Sequence, residues 1–314
     1  MKLLRRVSVS ATGSSRNIEC VVTIGGYDGI HIGHQALIAR TCADARQLGL
    51  ASMLLSFEPL PMEFLQAGNP PARLTNFRER WRLLERTGLD RVCLLAFDAR
   101  LRAASALQFM SMLRALRVRR VIVGHDFRFG RNGEADAEWC QSHAVEFGFE
   151  VHIVAPIMQS EVRVGSRRIR EALGTGALDA AARALGRRYA MRGRVLRGQQ
   201  LGRTLGFPTA NVAPRRRRLP LSGIFAVQVN AAGLPQRNWP GVASLGTRPT
   251  VNGVAPLLEA HLFDFAGDLY GRELEVQFVA KLRDELKFDS VELMTAQMHR
   301  DAAEARRVLG RLSD

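Results

Sequence analysis

Two stretches of the sequence gather residue types that handle phosphate. The first is Gly25-Gly26-Tyr27-Asp28-Gly29-Ile30-His31-Ile32-Gly33-His34, which follows an apolar run and opens a helical pattern. At such a junction backbone N–H groups and the helix dipole favour an anion. Gly26 and Gly33 allow a ligand close to the backbone. His31 and His34, three apart, can hold triphosphate oxygens and stabilise charge on a pentacovalent phosphorus, with Asp28 between the glycines. The stretch is neither a Walker loop nor a GxGxxG fingerprint. The second is Gly202-Arg203-Thr204-Leu205-Gly206-Phe207-Pro208-Thr209-Ala210-Asn211. Gly202 and Gly206 bracket a turn whose backbone can reach phosphates, and Arg203 adds charge. Thr209 and Asn211 face one way in an extended segment. Their oxygens are hard ligands suited to Mg²⁺ carrying ATP phosphates. Taken alone, the same residues also describe a polar turn capped by Asn and Thr.

Regular elements must position these residues. Val21–Gly25, Ser52–Phe57, Arg91–Phe97 and Val118–Val123 read as strands. They alternate with helical patterns over Gln35–Leu48, Asn76–Thr87 and Ala104–Leu116, which implies a parallel sheet covered by helices. Pro59 and Pro61 end the second strand. After a helical Ile169–Leu173, glycines at 174, 176 and 186 bracket a small-residue linker helix, Ala177–Leu185. Beyond Tyr189 the strands become short: Ala190–Leu196, Gly223–Val229, Gly241–Leu245, Leu257–Phe263 and Leu274–Phe278. That spacing suggests an antiparallel barrel, closed by an amphipathic helix over Ser290–Leu309.

Composition narrows the partners. The 314 residues favour two domains, and 46% apolar residues suffice for real cores. No run is long enough to span a membrane. Ser8–Arg16 is polar where a signal peptide needs an apolar core, so a cytoplasmic location is expected. The formal charge is +15, and only Lys2, Lys281 and Lys287 of the 45 basic residues are lysine. Residues 1–186 hold 25 basic and 18 acidic residues, and the remainder 20 and 12. This even spread fits two nucleotide sites better than a nucleic-acid-binding surface, which would cluster the charge with stacking aromatics. The dense run Arg215-Arg216-Arg217-Arg218 reads as a solvated loop. Cys20, Cys42, Cys93 and Cys140 lie far apart and read as small buried hydrophobes rather than a disulfide frame or zinc site.

HxGH between a strand and a helix resembles the nucleotidyltransferases that transfer AMP from ATP and release pyrophosphate. In that superfamily a second basic motif closes over the phosphates, and Ser166-Arg167-Arg168-Ile169-Arg170 stands in the matching place. The order GYDGIHIGH, SFEPLPMEF, RLTNFRERWRLL, VGHDFRFG, SRRIREAL resembles the first half of the prokaryotic bifunctional riboflavin kinase/FMN adenylyltransferases, or FAD synthetases. Three positions depart from the usual motifs: Leu60 replaces the histidine of FEPHP, and Gly165 and Arg167 replace the first serine and the threonine of SSTRIR. The lost imidazole and hydroxyl remove hydrogen-bond partners, while the added guanidinium can pair with phosphate oxygens. Trp239–Leu245, Thr247–Thr250, Leu258–Phe265, Asp268–Gly271 and Leu282–Phe288 resemble the riboflavin kinase half of the family in order.

The resemblance implies an α/β chain with a Rossmann-like nucleotidyltransferase domain, residues 1–186, built on a parallel sheet. It also implies a riboflavin kinase domain, residues 187–314, as a six-stranded antiparallel β-barrel with a terminal helix. Riboflavin is phosphorylated to FMN by MgATP, and FMN is adenylylated to FAD; FMN and FAD are products rather than prosthetic groups. On the resemblance Glu259 is the general base, Thr209 and Asn211 bind MgATP, and Arg283, Glu285 and Phe288 line the flavin side. Glu259 and His261 share a strand face, so either can point into the barrel mouth. His31, His34, Arg168 and Arg170 stabilise charge in the adenylyl step, with Gly26, Asp28, Gly33 and Ser166 on the phosphates and Asp126 and Phe127 on the flavin. Gly202, Arg203, Gly206 and Pro208 complete the kinase phosphate turn. The expected partners are riboflavin, FMN and ATP, without nucleic acid or membrane, for a monomer or weak homo-oligomer. A kinase with a weakened adenylyltransferase is the second reading of the three departures, and a basic nucleic-acid-binding protein a remote third.

Overall fold

The computed structural model describes residues 1–5, 18–159, 161–198, 202, 205–250 and 253–311. Arg203, Thr204 and the Ser8–Arg16 stretch lie outside the described residues. Two compact units are formed, one from Met1–Pro71 with Arg80–Gly165, the other from Ala72–Glu79 with Ser166–Asp314.

In the first unit the elements run β1 (Lys2–Arg5), β2 (Cys20–Ile24), α1 (Ile32–Leu48), β3 (Ala51–Phe57), α2 (Pro61–Leu65), α3 (Phe77–Leu84, begun by the other unit's segment), β4 (Arg91–Leu95), α4 (Ala99–Ala103), α5 (Ala106–Ala115), β5 (Val118–Gly124), β6 (Arg128–Phe129), β7 (Ala135–Asp136), α6 (Ala137–His143), β8 (Glu150–Val154), β9 (Met158–Gln159) and β10 (Val162–Arg163). Six strands form one sheet in the order β1-β4-β3-β2-β5-β8, and every neighbouring pair is parallel. Helices cover both faces, so β2 is buried at all five positions. Val22 joins the larger core with Leu55, Cys93 and Val121, while Val21 packs with Ala45 of α1 and with Ile122. β2 and β5 are adjacent, but the chain leaves them toward opposite edges of the sheet. At such a switch point the crevice beyond the strand ends takes ligands. The glycine–histidine loop follows β2 and the Gly124–Gly130 loop follows β5.

In the second unit α7 (Ser166–Gly174) and α8 (Leu178–Leu185) precede β11 (Ala190–Leu196), β12 (Ala210–Val212), β13 (Gly223–Ala231), β14 (Trp239–Thr250), β15 (Gly253–Leu262), β16 (Glu273–Arg283) and α9 (Val291–Gly310). The strands close as a barrel, β11-β12-β15-β14-β13-β16, antiparallel at every pair. Phe225, Val227, Leu245, Leu258, Ala260 and Phe278 belong to one core with Ile169 and Leu173 of α7 and Leu178, Ala181 and Leu185 of α8. The helices that the sequence places before residue 187 therefore pack with the barrel. Ala305 and Leu309 of α9 pack on Ala226 and Phe263, outside that core.

The arginine run departs from its solvated reading. Arg215, Arg217 and Arg218 are exposed, but Arg216 is buried. Its Nη2 donates to Glu79 Oε2 at 2.6 Å and to Leu74 O at 3.0 Å, and its Nη1 to Pro214 O at 3.1 Å. A run of like charges hides such a member, because its acid lies far back in the sequence. All four cysteines are buried and free, as expected. Among the described residues no helix is long and apolar enough to cross a membrane.

Candidate functional site

Two sites take shape, one in each unit. In the first unit, His31 caps α1 in an extended conformation, and its Nδ1 accepts the His34 backbone N–H at 3.3 Å. With Nδ1 accepting, the proton of a neutral ring sits on Nε2. The His31 and His34 rings stack with centroids 3.6 Å apart, and the Tyr27 ring lies 4.6 Å from His34 on a tilted plane. His34 Nδ1 is buried without a hydrogen-bond partner among the described residues. Burial first, then the neighbouring His31 and Arg80, hold His34 well below the usual imidazole range. His34 is therefore neutral at pH 7, a dipole rather than a cation.

The loop before the cap is tightly held. Tyr27 and Ile30 adopt left-handed backbone at φ 51° and 43°, Gly29 does so at 85°, and Tyr27, Asp28 and Ile30 are buried. The Tyr27 hydroxyl is hydrogen-bonded to Thr23. Gly26 has room for a Cβ only against Leu60, whose Cδ2 would stand 3.6 Å away. Leu60, which stands where the resemblance leads one to expect histidine, thus covers Gly26. Arg80, which the helical pattern over Asn76–Thr87 does not single out, is buried and donates from Nη1 to Gly26 O at 2.8 Å and from Nη2 to Glu58 Oε2 at 2.9 Å. No periodicity signals a buried cation on α3.

The loop after β5 places Asp126 and Phe127 differently. Asp126 is exposed and ion-paired with Arg163 of β10, while Phe127 is half-buried and stacked on Phe129 at 5.2 Å. Ser166 opens α7, which belongs to the second unit. Arg168 is exposed, Arg167 pairs with Glu171 at 3.0 Å, and Arg170 Nε donates to Ala72 O at 2.6 Å.

In the second unit one cavity of about 340 Å³ gathers most of the kinase candidates: Gly202, Thr209, Asn211, Glu259, His261, Arg283, Glu285 and Phe288 all line it. Gly206 and Pro208 are exposed beside it. Glu259 and His261 share a face, but that face is the outer wall of the barrel rather than its mouth. Their neighbours Leu258, Ala260 and Leu262 fill the interior. The cavity lies between this wall, residues 284–288 and the Met294–Asp301 face of α9. His261 Nδ1 is 2.9 Å from Pro208 O, and Phe207 lies against both His261 and His299.

The donor set suits a magnesium ion. A Cβ on Gly198 would collide with the Asn211 amide, and one on Gly202 would stand 3.3 Å from Thr209 Oγ1. The turn's bare backbone thus lies against two neutral oxygens, and such a pair would leave room for phosphate oxygens and water on Mg²⁺. Among the described residues no three His, Cys, Asp or Glu side chains form a metal group.

Elsewhere on the cavity wall, Arg283 Nε donates to Asp301 Oδ1 at 2.9 Å and Nη2 to Oδ2 at 2.6 Å. Its guanidinium also lies 5.8 Å from the Phe288 ring centre. Asp301 is buried on α9 and bonded by Gln297, a partner the sequence reading missed because it stands 18 residues downstream on the helix. Burial pushes the Glu285 carboxyl up against the pull of Arg283, and that carboxylate fills the space a side chain at Gly246 would take.

Residues 14–168 match the family model for FAD synthetase, and residues 185–309 the model for riboflavin kinase. A bifunctional riboflavin kinase/FMN adenylyltransferase of Escherichia coli strain K12 is 41% identical over 312 residues, covering 99% of this chain and 98% of the relative. One from Pseudomonas fluorescens is 44% identical over 290 residues, covering 91% and 92%. The crystal structure of a macrolide-efflux protein from Streptococcus pneumoniae superposes with a TM-score of 0.80 at 30% identity, covering 95% of this chain and 97% of that one.

Proposed function

We infer the chemistry of this chain from its family: it belongs to the bifunctional riboflavin kinase/FMN adenylyltransferases. It phosphorylates riboflavin to FMN and adenylylates FMN to FAD. We assign the kinase to residues 187–314 and the adenylyltransferase to residues 1–186.

In the kinase step we place the reacting atoms in the cavity lined by Thr209, Asn211 and Glu259. Thr209 Oγ1 and the Asn211 amide oxygen would hold Mg²⁺, which when bound neutralises the ATP phosphates. Glu259 accepts the proton of the ribityl hydroxyl as its oxygen bonds the γ-phosphorus and the bridge to the β-phosphate breaks, releasing ADP. Arg283, Glu285 and Phe288 take the flavin side, with Asp301 fixing the guanidinium plane. His261, tied to Pro208 O, shapes the nucleotide turn. The gathering of these side chains around one cavity carries this reading.

In the adenylyl step an FMN phosphate oxygen bonds the α-phosphorus of ATP, and pyrophosphate leaves. The attacking phosphate is already ionised, so no base is required. His31 and His34 at the N-terminus of α1 stabilise the charge that develops, and Arg168 and Arg170 are assigned the same task by the family motif. Gly26, Asp28, Gly33 and Ser166 are assigned to the phosphates, and Asp126 and Phe127 to the flavin. The chain would work in the cytoplasm as a monomer or weak homo-oligomer, without nucleic acid.

Incubation with riboflavin, ATP and Mg²⁺, with the flavins resolved by chromatography, tests both halves. FMN should appear first and FAD follow, with one pyrophosphate per FAD. Accumulating FMN without FAD would overturn the adenylyl half, and no FMN would overturn the kinase half.

A further inference from the structure

We propose that Arg80 is a positioning residue for FMN adenylylation, holding the loop between β2 and α1 in its phosphate-accepting shape without touching substrate. This rests on the adenylyl reading of that loop and adds a residue to it.

A guanidinium buried on α3 is costly unless every donor is directed at a partner. Two of those partners are specific. Nη1 donates to Gly26 O at 2.8 Å, and Ser56 Oγ at the end of β3 donates to the same carbonyl at 3.3 Å. Nη2 donates to Glu58 Oε2 at 2.9 Å, and the Glu58 backbone N–H is fixed to Leu95 O at 2.9 Å. Arg80 thus joins the glycine loop after β2 to the ends of β3 and β4. Gly26 immediately precedes Tyr27, the first of two non-glycine residues in left-handed backbone. Such backbone persists only where its surroundings over-determine it. The pins are Gly26 O, the Tyr27 hydroxyl and the His31 cap.

Arg80 also brings charge. His34 faces Tyr27, His31 and Arg80, and Arg80 is in turn paired with Glu58. A fixed cation there opposes protonation of the His34 ring and complements the anion the loop receives. Arg80 therefore holds the loop's Gly26 carbonyl and adds to the burial and the His31 ring that keep His34 neutral.

The test is FAD formation from FMN and ATP by Arg80→Met and Arg80→Lys, from about pH 5 to 9, with thermal unfolding of the same chains as the folding control and riboflavin phosphorylation as the control for the second unit. Arg80→Met should lower kcat for FAD formation about 10²-fold, keep kinase activity, and move the acid limb to higher pH. Arg80→Lys keeps the charge, so its acid limb should stay with the parent while part of kcat returns. An unchanged rate and acid limb in Arg80→Met would overturn the proposal. So would identical profiles for Met and Lys, and these also decide the matter should Arg80→Met lose both activities. If the parent chain makes no FAD at all, the adenylyl reading falls by itself. The imidazole NMR titration of His34 in parent and Arg80→Met then decides the role of Arg80, and an unmoved titration overturns it.

Discussion

Asn211 and Glu259 stand directly opposite one another in the antiparallel register of β12 and β15, with Ser244 of β14 on the far side of Glu259. Opposed residues project to the same face with Cβ atoms about 5 Å apart. The amide proposed for the metal and the carboxylate proposed as base are therefore adjacent by construction. Glu259→Gln should lower kcat for riboflavin phosphorylation by about 10²–10⁴-fold with little change in KM, since a general base contributes on that scale. Supplied FMN should still become FAD at the parent rate. Steady-state kinetics of the two half-reactions check this, and a kinase loss under threefold would remove Glu259 from the role.

The oxygen pair predicts a metal phenotype distinct from the base. Asn211→Ala removes one hard ligand that water can replace, so the Mg²⁺ concentration for half-maximal kinase activity should rise on the order of tenfold. Thr209→Ala should act in the same direction. Mg²⁺ titrations at saturating ATP read the shift. A fall in kcat with unchanged Mg²⁺ dependence would mean that the two residues serve only to cap the turn.

Leu60 lies over Gly26, where the family motif carries an imidazole. Leu60→His restores a donor beside the phosphate loop. We expect FAD formation to rise about tenfold, the worth of one hydrogen bond to a charged group, with kinase activity unchanged. An unchanged FAD rate would show that the loop works fully with the apolar residue.

Local chemistry made much of this molecule legible in sequence. The glycine–histidine loop, the alternating strands and helices, and the order of the barrel motifs each follow from residues close together in the chain. β1 and β8 are not legible: Lys2–Arg5 is too polar, Glu150 and His152 break the apolar run of Glu150–Val154, and the sheet recruits both by pairing with β4 and β5. β14 runs on to Thr250 although the apolar run ends at Leu245, because residues 246–250 pair with residues 253–257 of β15. Arg80 with Gly26, Arg283 with Asp301 and Arg216 with Glu79 are long-range ion pairs and hydrogen bonds. Helical or strand periodicity carries no trace of them.

Arg216 and Glu79 form the most buried ion pair of the second unit, with side-chain exposures of 0% and 7%. Glu79 Oε1 also accepts the Arg192 backbone N–H at 2.6 Å. Burial raises the Glu79 carboxyl above its ordinary value, although Arg216 pulls the other way. Removing the cation by Arg216→Met strands a buried carboxylate, which should cost about 3–5 kcal/mol at neutral pH. The sign of the pH dependence follows from the raised carboxyl. Below the unfolded value of about 4.3, both states hold a protonated Glu79, and the penalty vanishes. As pH rises through the folded value, the carboxylate must ionise in place or the unit unfold, and the penalty grows. Urea titrations of Arg216→Met should therefore show a large loss at pH 7 that shrinks steadily toward acid. The double variant Glu79→Gln/Arg216→Met should recover much of the loss at pH 7. A loss independent of pH and not recovered by the double variant would assign Arg216 to packing alone.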